Sequence, residues 1–272
     1  MAISFHTPPH LIERRVRVLL IGAGGTGGEV LYALARMHKL LLTLGHPGGL
    51  HVTVMDGDRV AAPNIGRQRF AECDIGHFKT DVLVQRLNLF FGSDWESTPE
   101  HWTPKRPGPR WHHTDLIVSC VDRAKVRVQL AQAAARLGSE VLWLDFGNGE
   151  HTGQCVLGHP GESDESASSL RLPTVVDLFP ELSRIEDRNT PSCSAAEAIR
   201  QQDLFTNALL AEAGVSLLWK LFRHGSTQTH GVLADAREPS IEPMLIDPDT
   251  WRMYGYDGPS KAPSLRTSHA KN

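Results

Sequence analysis

Only four cysteines, Cys73, Cys120, Cys155 and Cys193, occur in the 272 residues, and no two are spaced as C-x-x-C. That scarcity argues against a zinc ribbon and against a disulfide framework, so each thiol is expected to be buried filler or a reactive group. No apolar run approaches the roughly 18–20 residues that span a bilayer, and the opening MAISFHTPPHLIERR lacks the basic-then-apolar order of a secretory signal. A cytoplasmic chain with no membrane partner is the expectation. The formal net charge of −3 leaves no basic field strong enough to make a nucleic acid an expected partner. What is there is 40% hydrophobic and 22% charged, enough for one large core: one domain with embellishments.

The run VRVLLI at 16–21 has the length and composition of a parallel strand covered on both faces. It breaks at Gly22, and Val30, Leu31, Leu34, Ala35, Leu41 and Leu42 then recur near helical spacing. Strand, glycine loop and helix therefore follow one another. GGLHVTVMD, TDLIVSCVD and EVLWLDFG supply further strands, with KTDVLVQRLNLFFG and AKVRVQLAQAAARLG as helices, each closed by a glycine. Such alternation predicts an open α/β sheet, Rossmann-like, doubly wound and mostly parallel, with helices on both faces. Segment 159–202 begins polar and Ser-rich and reads as a crossover loop closing a domain over 1–224. Residues 225–258 read as a small C-terminal extension with a hairpin or two, and 259–272 as a disordered tail.

Ligands on such sheets bind beyond the carboxyl ends of the strands, and the unusual residues cluster there. Gly22, Gly24, Gly25 and Gly27 end the first strand, where backbone N–H groups and a helix dipole meet an anion such as a phosphate; the alternative is a tight turn without a ligand. Asp56, ending the next strand, is placed to hold ribose hydroxyls. It lies 34 residues beyond Gly22, where about 20 is usual in dinucleotide folds, and a lengthened helix plus loop within MHKLLLTLGHPGG accounts for the surplus. A nicotinamide cofactor needs a comparatively neutral floor, whereas Asn64, Arg67 and Lys79 bring hydrogen-bond donors and two cations, as a triphosphate requires. Asp122, ending a later strand, suits a magnesium ion bridging phosphates. A solvated arginine-rich loop is the alternative for this stretch.

GAGGTGG, DGDRVAAPNIGRQRF, DIGHFKTDVLVQRLN and VSCVDRAKVR, in this order, resemble the ThiF/MoeB/HesA family, bacterial relatives of ubiquitin-activating enzymes. The likeness covers roughly residues 15–160 and, more loosely, 203–222, and within the family it points to the ThiF-type proteins of the PRTRC gene cassette, a plasmid-type system. The resemblance implies ATP-dependent adenylation of the C-terminal carboxylate of a ubiquitin-like or sulfur-carrier protein ending in Gly, with release of pyrophosphate, by a homodimer using ATP and Mg2+. It implies that Gly22, Gly24, Gly25 and Gly27 surround the phosphates and Asp56 binds ribose. Asn64, Arg67 and Lys79 would contact the triphosphate, Gln68 would complete the loop and Asp122 would hold magnesium; Asp58 falls on the motif as well, with loop capping as its alternative.

Three departures from the family pattern stand out. The arginine-bearing N-terminal helix that serves a partner subunit is reduced to Arg14, Arg15 and Arg17 directly before the first strand. The asparagine after the magnesium aspartate is replaced by Arg123, and the zinc-binding C-x-x-C pairs are missing, so no structural zinc is expected. Cys193, in TPSCSAAEA just before a helical stretch, has the setting of a thiolate stabilised by a helix dipole, and P-x-C-[ST] resembles the context of the thioester cysteine in ubiquitin-activating enzymes. Cys73, Cys120 and Cys155 read as packing. His112 and His113 lack a third ligand at a useful spacing and read as a surface loop. Trp95, Trp102 and Trp111 lie in a Pro-rich connection read as irregular, packing over the sheet edge. The rival readings are a nucleotide-binding adaptor without catalysis and an NAD-dependent oxidoreductase.

Overall fold

The apolar runs become interior strands of one eight-stranded sheet in the computed structural model, which describes residues 3–138, 140–161, 170–185 and 204–258. In chain order the elements are β1 (Phe5–His6), α1 (His10–Glu13), β2 (Val16–Ile21), α2 (Gly25–Thr43), β3 (Leu50–Met55), α3 (Lys79–Phe91), β4 (Glu96–Thr98), β5 (Leu116–Ser119) and α4 (Ala124–Ala134). There follow β6 (Leu142–Asn148), β7 (Thr152–Gly158), α5 (Val175–Leu178), α6 (Thr206–His224), β8 (Ser226–Thr227), β9 (Thr229–Asp235), β10 (Ser240–Leu245) and α7 (Pro248–Met253). The sheet order is β10-β9-β7-β6-β5-β2-β3-β4, and β1 pairs separately with β8.

The five strands from β4 to β6 are parallel, whereas β7, β9 and β10 are antiparallel additions. The sense reverses after β6 because only Gly149–His151 separate it from β7, and so short a link makes a hairpin but not a crossover. Residues 225–258 supply β9 and β10, which extend the same sheet. β2, flanked by β3 and β5, is the point from which the chain winds outward in both directions. α2 packs with α3 and α6, and α4 with α5, giving two helix layers as right-handed crossovers on either side of β2 require.

α2 carries the extra length the sequence suggested: it runs 19 residues, and Gly45, at φ +90°, follows its end. The Pro-rich connection after α3 holds a short strand, β4, that the sequence reading treated as irregular. Trp95, Trp102 and Trp111 are all buried there; Trp95 donates to the Leu50 carbonyl (3.2 Å), and the Trp102 and Trp111 rings lie 5.9 Å apart. Among the described residues no helix is long and apolar enough to cross a membrane.

Candidate functional site

β2, β3 and β5 end side by side. The Gly22 N–H donates to the Met55 carbonyl (2.9 Å), and the Cys120 N–H to that of Ile21 (2.8 Å). Gly22 turns away at φ +97°, where a Cβ would stand 2.5 Å from the Cys120 carbonyl oxygen, so no other residue fits. A Cβ on Gly27 would stand 2.0 Å from the Gly22 oxygen, and one on Gly25 would strike the Asn207 side chain at 2.5 Å. These three glycines are explained by the protein's own packing. Gly24 is not: nothing lies within 4 Å of the Cβ it lacks. It is the N-cap of α2 and caps it with no side chain, so the free N–H groups of the first helical turn open beside it.

Asp56, buried at the end of β3, fastens this loop: its Oδ2 accepts from the Ala23 N–H at 2.7 Å and its Oδ1 from the Asp58 N–H at 2.8 Å. A carboxylate offers about four lone-pair positions, so two remain. Lys79 opens α3 and is buried, and its ammonium reaches Asp58 Oδ2 at 2.9 Å while its N–H donates to the Asp58 carbonyl at 3.0 Å. Between β3 and α3, Asn64 closes a 3-10 turn, its Oδ1 accepting from the Ala61 N–H (2.9 Å). The Gln68 N–H donates to the Asn64 carbonyl (2.9 Å), and its buried side-chain oxygen has no hydrogen-bond partner among the described residues. Arg67, between them, is half-buried, and burial lowers its guanidinium pKa without neutralising it. Asp122 is exposed on the turn from β5 into α4.

Thus Asp56, Asp58 and Lys79 form one chain of contacts with the glycine loop, and Asn64, Arg67 and Gln68 follow on the adjoining loop. Cys193 lies outside the described residues. Cys120 and Cys155 are desolvated by burial, which pushes the first thiol well up and the second to about 12, so both are inert packing groups. Cys73 is exposed on a 3-10 turn, and His112 and His113 are exposed on another.

The sequence reading missed what lies under Asp122. Arg127, one helical turn on, donates from Nε to both oxygens of buried Asp145 (3.2 and 2.9 Å) and from Nη2 to the carbonyls of Val121 (2.6 Å) and Phe146 (2.8 Å). Ser119 also bonds Asp145, and Trp143 Nε1 donates to Ser119 Oγ at 2.7 Å. This buried network binds β5, β6 and α4 into one support for the turn that carries Asp122. The one sequence signal was an arginine at an otherwise apolar helix position, paired with an aspartate inside an apolar strand. A second polar cluster joins the helix layer: Thr26 Oγ1 and Asn148 Nδ2 donate to Asn207 Oδ1, each at 2.7 Å.

The N-terminal arginines are spent elsewhere. Arg14 and Arg17 both pair with Asp115, and Arg15 with Asp94, at the amino ends of the strands.

The ThiF family profile matches residues 12–241. No curated protein sequence matches the chain. Among solved structures it is similar to PaaA, at 15% identity and a TM-score of 0.55, over 85% of this chain and 64% of that one. It is also similar to Escherichia coli MccB, at 17% identity and a TM-score of 0.57, over 88% of this chain and 65% of MccB. The chain thus spans just under two thirds of the length of these solved proteins, and at such identities the likeness is one of fold. A match across most of the chain, on a doubly wound sheet with its glycine loop and acid at the expected strand ends, makes this chain a member of the ThiF family.

Proposed function

We propose that this chain binds ATP and adenylates the C-terminal carboxylate of a ubiquitin-like or sulfur-carrier protein ending in glycine, working as a homodimer. The observation that carries the reading is the open space at Gly24 beside an uncapped helix N-terminus, with two buried side chains, Asp56 and Lys79, at the neighbouring element ends. Solved structures of MccB include one with ATP and others with MccA, which supports a nucleotide and a second molecule meeting on this fold.

In the reaction a carboxylate oxygen of the carrier attacks the α-phosphorus of ATP. The new carboxyl–phosphate bond forms as the bond to the β-phosphate oxygen breaks, and pyrophosphate leaves with the electron pair. The N–H groups following Gly24 hold phosphate oxygens, and Asp56 accepts from the ribose. Arg67 and Lys79 counter the charge that grows on the pyrophosphate, Asn64 donates from its amide, and Gln68 completes the loop. Asp122 offers a hard oxygen donor in an exposed position, which fits magnesium and would hold it; the ion supplies neutralisation of the phosphates when bound. Cys193 is the candidate to take the activated acyl group as a thioester, with its thiolate displacing AMP.

A second reading, nucleotide binding without catalysis, as in an adaptor of a plasmid-type gene system, is favoured by the pairing of Arg14, Arg15 and Arg17 at the far edge of the sheet, where they serve stability. ATP–pyrophosphate exchange with magnesium decides between the two. Exchange that requires one glycine-ending carrier, and is lost in Asp122→Ala, is the result expected for the enzyme. Tight ATP binding without exchange for any such carrier would establish the adaptor.

A further inference from the structure

The ribose subsite assigned to Asp56 is built from one side. A carboxylate only accepts, and a hydroxyl that donates to it keeps lone pairs in need of a donor. Asp58 accepts too, and its Oδ2 is committed to Lys79. A donor outside the D-x-D motif stands within reach of both carboxylates: His101, on the connection between β4 and β5. Its Nε2 is 3.7 Å from Asp58 Oδ1, and one ring nitrogen of His101 and one carboxylate oxygen each of Asp56 and Asp58 all lie within 4.8 Å of one another. An oxygen about 2.8 Å from two atoms at that outer separation subtends roughly 120°, an ordinary angle for hydrogen bonds at a hydroxyl.

His101 is held where it stands. The Thr98 carbonyl at the end of β4 accepts from both the Asp56 N–H (3.3 Å) and the Glu100 N–H (2.8 Å), so the strand delivers the next residues to Asp56. Trp102, buried against Trp111, anchors the chain immediately after the histidine. Gly57, between the two aspartates, lies under the ring: a Cβ there would stand 2.6–2.8 Å from three of its atoms. The ring's far side is open, its side chain 71% exposed.

The geometry points to His101 as the second half of a ribose clamp, donating from its ring to the hydroxyl that donates to Asp56 and so favouring ribonucleotides over deoxyribonucleotides. The inference rests on the nucleotide reading above and goes beyond it in naming a selectivity residue.

Calorimetric dissociation constants for ATP, 2′-deoxy-ATP, 3′-deoxy-ATP and tripolyphosphate test it on the full chain. The wild-type chain is expected to prefer ATP over at least one deoxy analogue. His101→Ala, a change at an exposed position, should weaken ATP three- to tenfold, as one hydrogen bond allows, erase that preference and leave tripolyphosphate unchanged. Gly57→Ala keeps both carboxylates but pushes the ring aside, and should repeat the effect in smaller measure. Unchanged ATP affinity in His101→Ala overturns the clamp, as does an equal loss of ATP and tripolyphosphate. A wild-type chain that binds neither compound would instead remove the nucleotide reading itself, an outcome distinct from a clamp that fails while ATP still binds.

Discussion

The two ends of the parallel strands are furnished in opposite ways. At the amino ends, Asp115 is buried and receives Arg14 and Arg17 in two-pronged pairs of 2.7–3.1 Å. Burial pushes the Asp115 carboxyl up, but hydrogen bonds from Arg17 and Arg14 outweigh it and hold the group below its usual value. At the carboxyl ends, Asp56 receives only two backbone N–H groups, Lys79 has one carboxylate, and Gly24 faces open space. The same residue types close one edge and leave the other ready for an anion. On the proposed function, stability and binding fall to opposite ends of one sheet, and substitutions at each end should be felt in different measurements.

The largest effect is expected at the carboxyl end. Lys79→Ala or Arg67→Ala should remove about 2–4 kcal/mol of transition-state stabilisation, as for one preorganised electrostatic donor, read as a steep fall in pyrophosphate exchange. Mild loss would dissolve the distinction between the two ends. Next comes Asp115→Ala, which strands two guanidinium groups; because both are more than a third exposed, a loss of about 2–3 kcal/mol is expected rather than the full cost of a broken buried pair. Denaturant unfolding measures it, and ATP affinity should not move.

A smaller effect concerns the antiparallel flank. His159 accepts the Leu172 N–H and His230 accepts from Trp251 Nε1, and burial lowers both from 6.5 to about 4. The folded chain therefore binds fewer protons than the unfolded one in this window. Stability is whole above about pH 6.5 and falls as the pH drops toward 4, by about 1 kcal/mol per histidine near pH 6. Unfolding midpoints across that range check it, and His230→Gln should flatten part of the slope. The smallest effect is expected for Cys193→Ala, which should leave exchange intact while abolishing any thioester trapped on non-reducing gels.

Signals that are local in the chain were legible. The interior strands announce themselves as continuous apolar runs, and the glycine loop, Asp56 and the loop from Asn64 to Gln68 stand in one recognisable spacing. β4 was not legible, because Glu96–Thr98 carries no apolar pattern and is a strand only through its pairing with β3. Nor was the pairing of Asp145 with Arg127, since neither residue's spacing names its partner. His101 stood unnoticed for the same reason: it meets Asp56 through the sheet, 45 residues along the chain.

The contact of Asn207 with Thr26 and Asn148 has a consequence for how the molecule is made. The amide that fills the space against Gly25 arrives 181 residues after its partner in the glycine loop. A chain growing from its amino terminus can pair β2, β3 and β5 long before α6 has been synthesised. Its glycine loop lacks that neighbour until residue 207 has left the ribosome, so the end of the sheet proposed to hold the nucleotide is completed only after most of the chain has been made.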